Sequence, residues 1–336
     1  MENISDNPGA GHYKGIQNSD LIERIDFYKP DALLVFGWSF QSHLQILRHY
    51  KGKTQILFRG DSTLLDEKPG FSIKKVMRRL FLRWVYKHVD IALFTGTANK
   101  AYYLQHGLKE HQLRYAPHAV DNDRFYDVNG LYEEQGNKWR QELGISCDEV
   151  VFLFAGKFEP KKDPVTLLEA FLSVNAKNTR LVLVGNGVLE PVLKTLAASS
   201  ERVIFLDFQN QQLMPVVYRL ANVFVLPSKG PGETWGLSVN EAMACGLPVM
   251  VSNRCGCADD LVYENGFIIK AGKKEEIAQI IRELSVNSQI LEQMSSESLK
   301  RIIKFTFVSI AEAIEIAVSL KKSQVFKYNN NESIEA

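Results

Sequence analysis

Short β-rich apolar runs recur along this chain with helix-length stretches between them, and that alternation restricts its folds more than any other feature. The runs are Ala32–Phe36, Gln55–Phe58, Ile91–Phe94, Val150–Ala155, Leu181–Val184, Val203–Leu206, Val223–Leu226 and Val249–Val251. Several, such as VVFLFA at 150–155, are unbroken rather than alternating, as strands covered on both faces are. Between them, Pro164–Asn175, Pro191–Ala198 and Lys274–Leu284 place apolar residues at helical spacing. Buried strands joined through helices are βαβ units, so the expected class is α/β with parallel sheets.

With 336 residues, 45% of them apolar, the chain can bury two cores of ordinary size. The polar stretch 121–149 holds Asn129-Gly130 and Gln135-Gly136-Asn137, which is turn chemistry, and the strand pattern resumes at Val150. A division is therefore expected near residue 145. It gives a first domain over 1–145 and a second over 146–305, then a helix over 306–322 packing back on the first. A tail without fixed structure is expected over 323–336, where KYNNNESIEA has no periodicity. Three of the runs precede the division, whereas a complete doubly wound domain carries about six strands, so the first domain reads as incomplete.

A formal net charge of +1 supplies no field for nucleic acid. Cys147, Cys245, Cys255 and Cys257 are too scattered for a disulfide framework, and no second Cys or His pair accompanies Cys255 and Cys257 for zinc. Reduced thiols are expected. The first twenty residues lack an apolar signal core and no run approaches eighteen apolar residues, so a soluble, cytoplasmic chain is expected.

In AGKFEPKKD, residues 155–163, a strand ends and Lys157, Lys161 and Lys162 crowd the loop before a helix that opens at Pro164, with Asp163 at its N-cap. Cations there face the crevice at the carboxyl ends of parallel strands, where such sheets hold ligands, although a solvated basic loop reads the same way. Gly185-Asn186-Gly187 permits a tight turn and close approach of a ligand. Glu190 stands where a dinucleotide fingerprint has its third glycine, which disfavours a nicotinamide-dependent oxidoreductase.

GETWGLSVNEAMACGLPV, residues 232–249, sets two acids at the head of a helix. Ser238 and Glu241 form the S-x-x-E of a capping box, so Glu241 can serve its own helix. The amides of Gly236, Leu237 and Ser238 can equally receive an anion, and with Lys157 and Lys162 they would cradle a diphosphate without a metal. Glu233 has no capping role, and beside an anion it is repelled unless it meets hydroxyl groups. Phosphates and hydroxyls together describe a nucleotide-sugar.

These segments, with Leu226–Ser228, the E-x₇-E of Glu233 and Glu241, and the following VSNRCGCADDLVYENGFIIKAG, resemble the retaining family 4 glycosyltransferases of GT-B fold. The resemblance runs over about residues 25–321 and is strongest over 150–272. It implies two Rossmann-like, doubly wound parallel-sheet domains, the first incomplete. It implies that Lys157 and Lys162 hold the donor diphosphate beside Gly156 and Asn186, that Glu241 grips the ribose and that Glu233 touches the transferred sugar. Gly236, Leu237 and Ser238 would bind phosphate through their backbone, and Phe208 and Gln209 would face the nucleobase. Glu233, Lys157 and Lys162 are then the catalytic candidates, with no metal and no other cofactor. Lys157 stands where the family more often has Arg; it neutralises a leaving diphosphate but orients it less.

In the first domain KPDALLVFGWSFQSH, TQILFRGDSTLL, TGTANKAYY and APHAVDNDRF resemble a bacterial surface-polysaccharide branch of the same family. Arg59-Gly60-Asp61 replaces a histidine that many relatives carry, and His118 stands where they often have Asn. Arg59, Asp61 and His118 are thus the candidates for the first-domain side of the cleft. Asp121-Asn122-Asp123 reads as turn and cap chemistry rather than as a metal-binding D-x-D. Over Phe71–Asp90, Lys75, Arg79, Arg83 and Lys87 lie four apart, with Ile73, Val76, Met77, Leu80 and Trp84 on another face. Such a helix lies on anionic lipid or packs on its domain with a solvated basic face.

The resulting expectation is an enzyme that transfers a sugar, with retention, from a nucleotide-sugar to a polysaccharide or lipid-linked acceptor at the inner face of the cell membrane. The alternative is an inactive remnant that still holds the nucleotide-sugar. Relatives open with a strand and a Gly-rich loop where this chain has MENISDNPGAGHYKGI, so a front stretch of about 80–100 residues is expected to be missing.

Overall fold

The computed structural model describes residues 3–9 and 12–332, with side chains described to residue 319. In chain order the first elements are α1 (Leu21–Tyr28), β1 (Ala32–Phe36), α2 (Gln41–Tyr50), β2 (Gln55–Arg59), α3 (Ile73–Tyr86), β3 (Ile91–Phe94), α4 (Thr97–Gln105) and β4 (Leu113–Tyr115). Next come α5 (Asn122–Phe125), α6 (Leu131–Glu142), β5 (Val150–Ala155), α7 (Pro164–Ser173), β6 (Thr179–Val184), α8 (Glu190–Ala197) and β7 (Val203–Leu206). The remainder is α9 (Met214–Tyr218), β8 (Val223–Leu226), α10 (Leu237–Ala244), β9 (Val249–Ser252), α11 (Ala258–Leu261), β10 (Gly266–Ile269), α12 (Lys274–Leu284), α13 (Ser288–Ile302) and α14 (Phe307–Glu332). The chain separates into two units, one ending at Pro117 and regained from Val308 on, the other His118–Phe307.

Unit one holds a parallel sheet in the order β1-β2-β3-β4. Right-handed crossovers that always step the same way put every connecting helix on one face. There Ile56, Phe58 and Ala92 meet Leu44, Leu47, Tyr50, Leu82 and Val85. Side chains one position along point oppositely, and Leu57, Ile91 and Leu93 pack on Ala313 and Ala317 of α14. Gln55 Nε2 donates to Ala317 O at 2.8 Å, which fixes the helix on this face. Helix α14 continues to Glu332, where the sequence suggests a tail from 323; residues 333–336 lie outside those described.

Helix α3 is apolar on two sides. Leu82, Val85 and Tyr86 are buried. Ile73, Met77 and Leu80, the residues that helical spacing would assign to a buried face, are 72%, 61% and 55% exposed, and Phe71 before the helix is more exposed still. The expectation of a helix packing through that stripe is therefore corrected: it packs through the opposite one.

Unit two holds a parallel sheet in the order β10-β9-β8-β5-β6-β7. The chain winds outward from β5 to β7, then returns to β5's other side and winds out to β10. Keeping one handedness while reversing direction moves the crossover helices to the other face. Thus α7 and α8 pack with Phe152, Phe154, Leu181 and Leu183. The later α10 and α11 pack with Val151, Leu153, Phe224 and Val249 on the opposite side. Both faces are covered, which explains the unbroken apolar runs. Strands β4 and β10 escape the sequence reading: one has three residues, and the other, GFII, begins at the glycine that closes a turn.

The division falls after Pro117 rather than near 145. Phe125 and Ile145 belong to the core of unit two, with Trp139 and Leu143 packed against it. Arg140 ties this stretch to Leu220 O and Glu149 O at 3.3 and 2.9 Å. Local polarity hid four apolar anchors spaced too widely to look like one element.

Arg59 is buried, and its guanidinium donates to Ala116 O and Pro117 O at 2.8 and 3.0 Å. The neighbouring Asp61 is exposed. Replacing Arg59 by Leu removes charged donors from two carbonyls, so a loss of about 2–4 kcal/mol in the stability of unit one is expected in urea unfolding. An unchanged midpoint would mean that water serves those carbonyls equally well.

Candidate functional site

Open parallel sheets hold ligands outside the carboxyl ends of strands where the winding reverses. In unit two that place lies between β5 and β8, and a cleft of about 490 Å³ opens there. It is lined by Gly156, Lys157, Lys162, Asn186, Phe208, Gln209, Glu233, Gly236, Leu237, Ser238 and Glu241, so every donor-side residue named from the sequence comes to this one cavity. Lys161, Gln211, Met214 and Tyr218 line it as well.

The β5–α7 loop carries the lysines. A Cβ on Gly185 would stand 2.1 Å from Gly156 O, so glycine there lets the β6–α8 loop pack on the lysine loop. Gly185 also lines the cleft. Phe158 N donates to Asn186 O at 2.8 Å and locks the two loops together. Asp163 is the residue before α7, as the sequence indicates, but its carboxylate caps nothing. The backbone is left-handed (φ 53°), and Oδ1 accepts from Lys229 Nζ at 2.9 Å.

Lys162 Nζ bonds Glu233 Oε2, and Ser228 Oγ donates to the same oxygen at 3.0 Å. Both partners are mostly enclosed, with side chains 20% and 10% exposed. The premise that only a hydroxyl-bearing ligand could accommodate Glu233 is thus corrected, because a lysine of the cleft already holds it. Lys157 and Lys161 reach Glu159 only at 3.9 and 3.6 Å, and Lys157 is open to solvent. Exposed pairs so loose constrain little.

The capping box is not formed. Helix α10 starts at Leu237 behind Gly236, whose φ of +106° suits glycine. The Glu241 carboxylate turns away to accept from Tyr218 Oη at 2.7 Å and Gln211 Nε2 at 3.3 Å. Burial raises its pKa above the ordinary carboxylate value, opposed by those two donors. The first-turn amides therefore have no side-chain cap and face the cleft. A Cβ on Gly236 would stand 3.7 Å from Glu233 Oε1, which places the Glu233 carboxylate at this helix end.

Behind the loop, Gly256 N and Cys257 N donate to Glu233 O and Trp235 O at 3.0 and 3.2 Å. Trp235 Nε1 donates to Asn240 Oδ1 at 2.8 Å, and Asn240 Nδ2 to His118 O at 3.2 Å. His118 lies in unit two with its ring against Trp235 at 5.3 Å, so it supports this loop and does not line the cleft. Asp121 caps α5 through the amide of Arg124, and all four cysteines are free. Among the described residues no group of three His, Cys, Asp or Glu is placed to hold a metal. Tyr218 and Gln211 escaped the sequence reading, since a tyrosine in an apolar segment reads as core and a lone glutamine carries no signal.

Residues 135–301 match the family model described as Glycosyl transferases group 1. An uncharacterised glycosyltransferase of Methanocaldococcus jannaschii is 32% identical over 158 residues, which are 46% of this chain and 40% of the relative. The GDP-mannose-dependent monoacylated alpha-(1-6)-phosphatidylinositol monomannoside mannosyltransferase of Corynebacterium glutamicum is 27% identical over 218 residues, 61% of this chain and 55% of that one. The chain thus spans about half the length of these relatives. In fold it is similar to the Anabaena protein HepE in complex with UDP, with a TM-score of 0.72, 18% identity, and coverage of 90% of this chain and 81% of that one.

Glu241 gives a pH test with a definite sign. A carboxyl whose pKa folding raises favours the folded state while protonated and loses that contribution as pH climbs through the folded value. Glu241→Gln does not titrate. The stability of wild type minus that of the variant is therefore expected to fall as pH climbs above the ordinary carboxylate range, read by thermal unfolding at a series of pH values from acid to neutral.

Proposed function

We propose that this chain, whose residues 135–301 match the family model of the glycosyl transferases group 1, is a retaining, metal-independent glycosyltransferase using a nucleotide-sugar donor. The observation that carries the reading is one cleft at the winding reversal joining Lys157, Lys162, the uncapped head of α10 and two acids. Cations and amides suit a diphosphate, and carboxylates accept hydroxyls. An incoming diphosphate competes with Glu233 for Lys162. The exchange leaves the leaving group neutralised and the Glu233 carboxylate turned to the transferred sugar. Glu241 takes the ribose, and Phe208, largely exposed at the rim, offers its ring to the base. UDP in the structurally similar HepE supports a nucleoside diphosphate here.

The acceptor is a glycan or a lipid-linked glycan, a reading supported by the phosphatidylinositol mannoside in the name of the corynebacterial relative. The chain would then work at the inner face of the membrane, in polysaccharide assembly. Helix α3 supplies the surface. From Lys68 to Val89 there are seven Lys and Arg residues and no acid, beside the exposed Phe71, Ile73, Met77 and Leu80. No helix among the described residues is long and apolar enough to cross a membrane.

Release of UDP from UDP-glucose and of GDP from GDP-mannose should reveal turnover. Lys162→Met is expected to cut kcat/KM about a hundredfold or more, and Glu233→Gln to lower kcat with little change in nucleotide affinity. Wild-type binding of UDP or GDP without release from either donor would count against the enzyme reading. Phosphatidylglycerol vesicles should sediment the wild-type chain at low salt, and Met77→Glu with Leu80→Glu should abolish this while leaving nucleotide binding intact. Equal sedimentation with phosphatidylcholine and insensitivity to those changes would remove α3 from the membrane reading.

A further inference from the structure

Glu241 receives a ribose diol best as a carboxylate, because both its oxygens then accept, whereas a protonated carboxyl spends one oxygen as a donor. Its surroundings work against that state, since burial favours the neutral form. Few groups oppose the burial. Tyr218 faces it from α9, Gln211 from the β7–α9 loop and Arg124 from α5, while Cys245 lies one turn on in its own helix. Gln211 is exposed and its bond is long at 3.3 Å, and Arg124 acts through space. Tyr218 is different. It is fully buried, its ring meets Phe125 and Phe224 edge-on at 6.1 and 5.6 Å, and its hydroxyl reaches Oε2 at 2.7 Å.

We propose that Tyr218 is a positioning residue which keeps Glu241 ionised and its free lone pairs aimed into the cleft, so that nucleotide affinity does not vanish in mildly acidic conditions. The inference rests on the donor-site reading above. Two further features support it. The burial that encloses the phenol pushes its own pKa up, so the hydroxyl remains a donor over the whole working range. The bond occupies Oε2 from the core side, and both residues line the cleft. Phenylalanine at 218 would keep the ring packing and remove only that donor.

The test measures UDP and GDP binding by calorimetry, at about pH 6 and about pH 8.5, to wild type, Tyr218→Phe and Glu241→Gln. Whichever diphosphate binds wild type is then compared with its 2′-deoxy counterpart. Tyr218→Phe should resemble Glu241→Gln at the lower pH, with affinity down about tenfold and the preference for ribose gone. At the higher pH it should recover to within about threefold of wild type, ribose preference included. Glu241→Gln should not recover. Thermal unfolding of each variant at both pH values reports the folded fraction, and affinities are referred to it. An equal loss at both pH values would make Tyr218 a packing residue and overturn the inference alone, as would no loss at either. Failure of both diphosphates to bind wild type would remove the donor-site reading and this inference with it. A Glu241→Gln variant binding as wild type does would remove the ribose contact.

Discussion

The reversal of winding between β5 and β8 is the constraint on which the second unit depends. Two strands side by side send their chains to opposite faces of the sheet, since right-handed crossovers admit no other arrangement once the direction changes. Their carboxyl ends cannot be covered by a shared helix, and a gap remains there. One side of the gap is a loop rich in lysine, and the other is the Gly/Pro loop that leads to α10. The separated loops are then tied across the opening by Lys229 N to Lys161 O at 2.9 Å, by Lys229 with Asp163, and by Lys162 with Glu233.

Those two ion pairs differ in kind. Asp163 is sealed, with a side chain 2% exposed, and its pairing with Lys229 serves the loops themselves. Removing one member of such a pair strands a buried charge. Lys162 and Glu233 also lie mostly out of water, but they line the cleft, where a competing anion could take the lysine. An opposite charge a hydrogen bond away offsets the cost of holding both groups out of water.

Much of this was legible without coordinates, for identifiable reasons. Strands Val150–Ala155 and Val223–Leu226 stand in the structure with the bounds that apolar continuity indicates, because strands covered on both faces cannot hide among polar residues. The lysines and glycines of the cleft stand out at strand ends, but a solvated loop reads the same way, and the resemblance to a known family is what singled them out together with Phe208 and Gln209. The errors at single side chains share one cause. The roles of Glu241, Asp163 and Arg59 are settled by partners far away in the chain. Tyr218 reaches Glu241 from 23 residues away, Lys229 reaches Asp163 from 66, and Arg59 reaches Ala116 from 57. The capping box was a sound local pattern that lost to a tyrosine hydroxyl arriving from another helix.

By itself, the sequence determined the α/β class, the parallel sheets, most strand positions and the set of side chains that meet at the cleft. The class, sheets and strand positions follow from local periodicity, the lysines and glycines of the cleft from what strand-to-helix turns require, and Phe208 and Gln209 from the resemblance to a known family. Only the tertiary structure decided the pairing within that set, the membership of residues 118–149 in the second unit, and the side of α3 that faces outward. The reason is geometric. Periodicity states that a helix has an apolar stripe, but α3 has two, and the one that is buried is settled by the sheet it crosses rather than by its own residues.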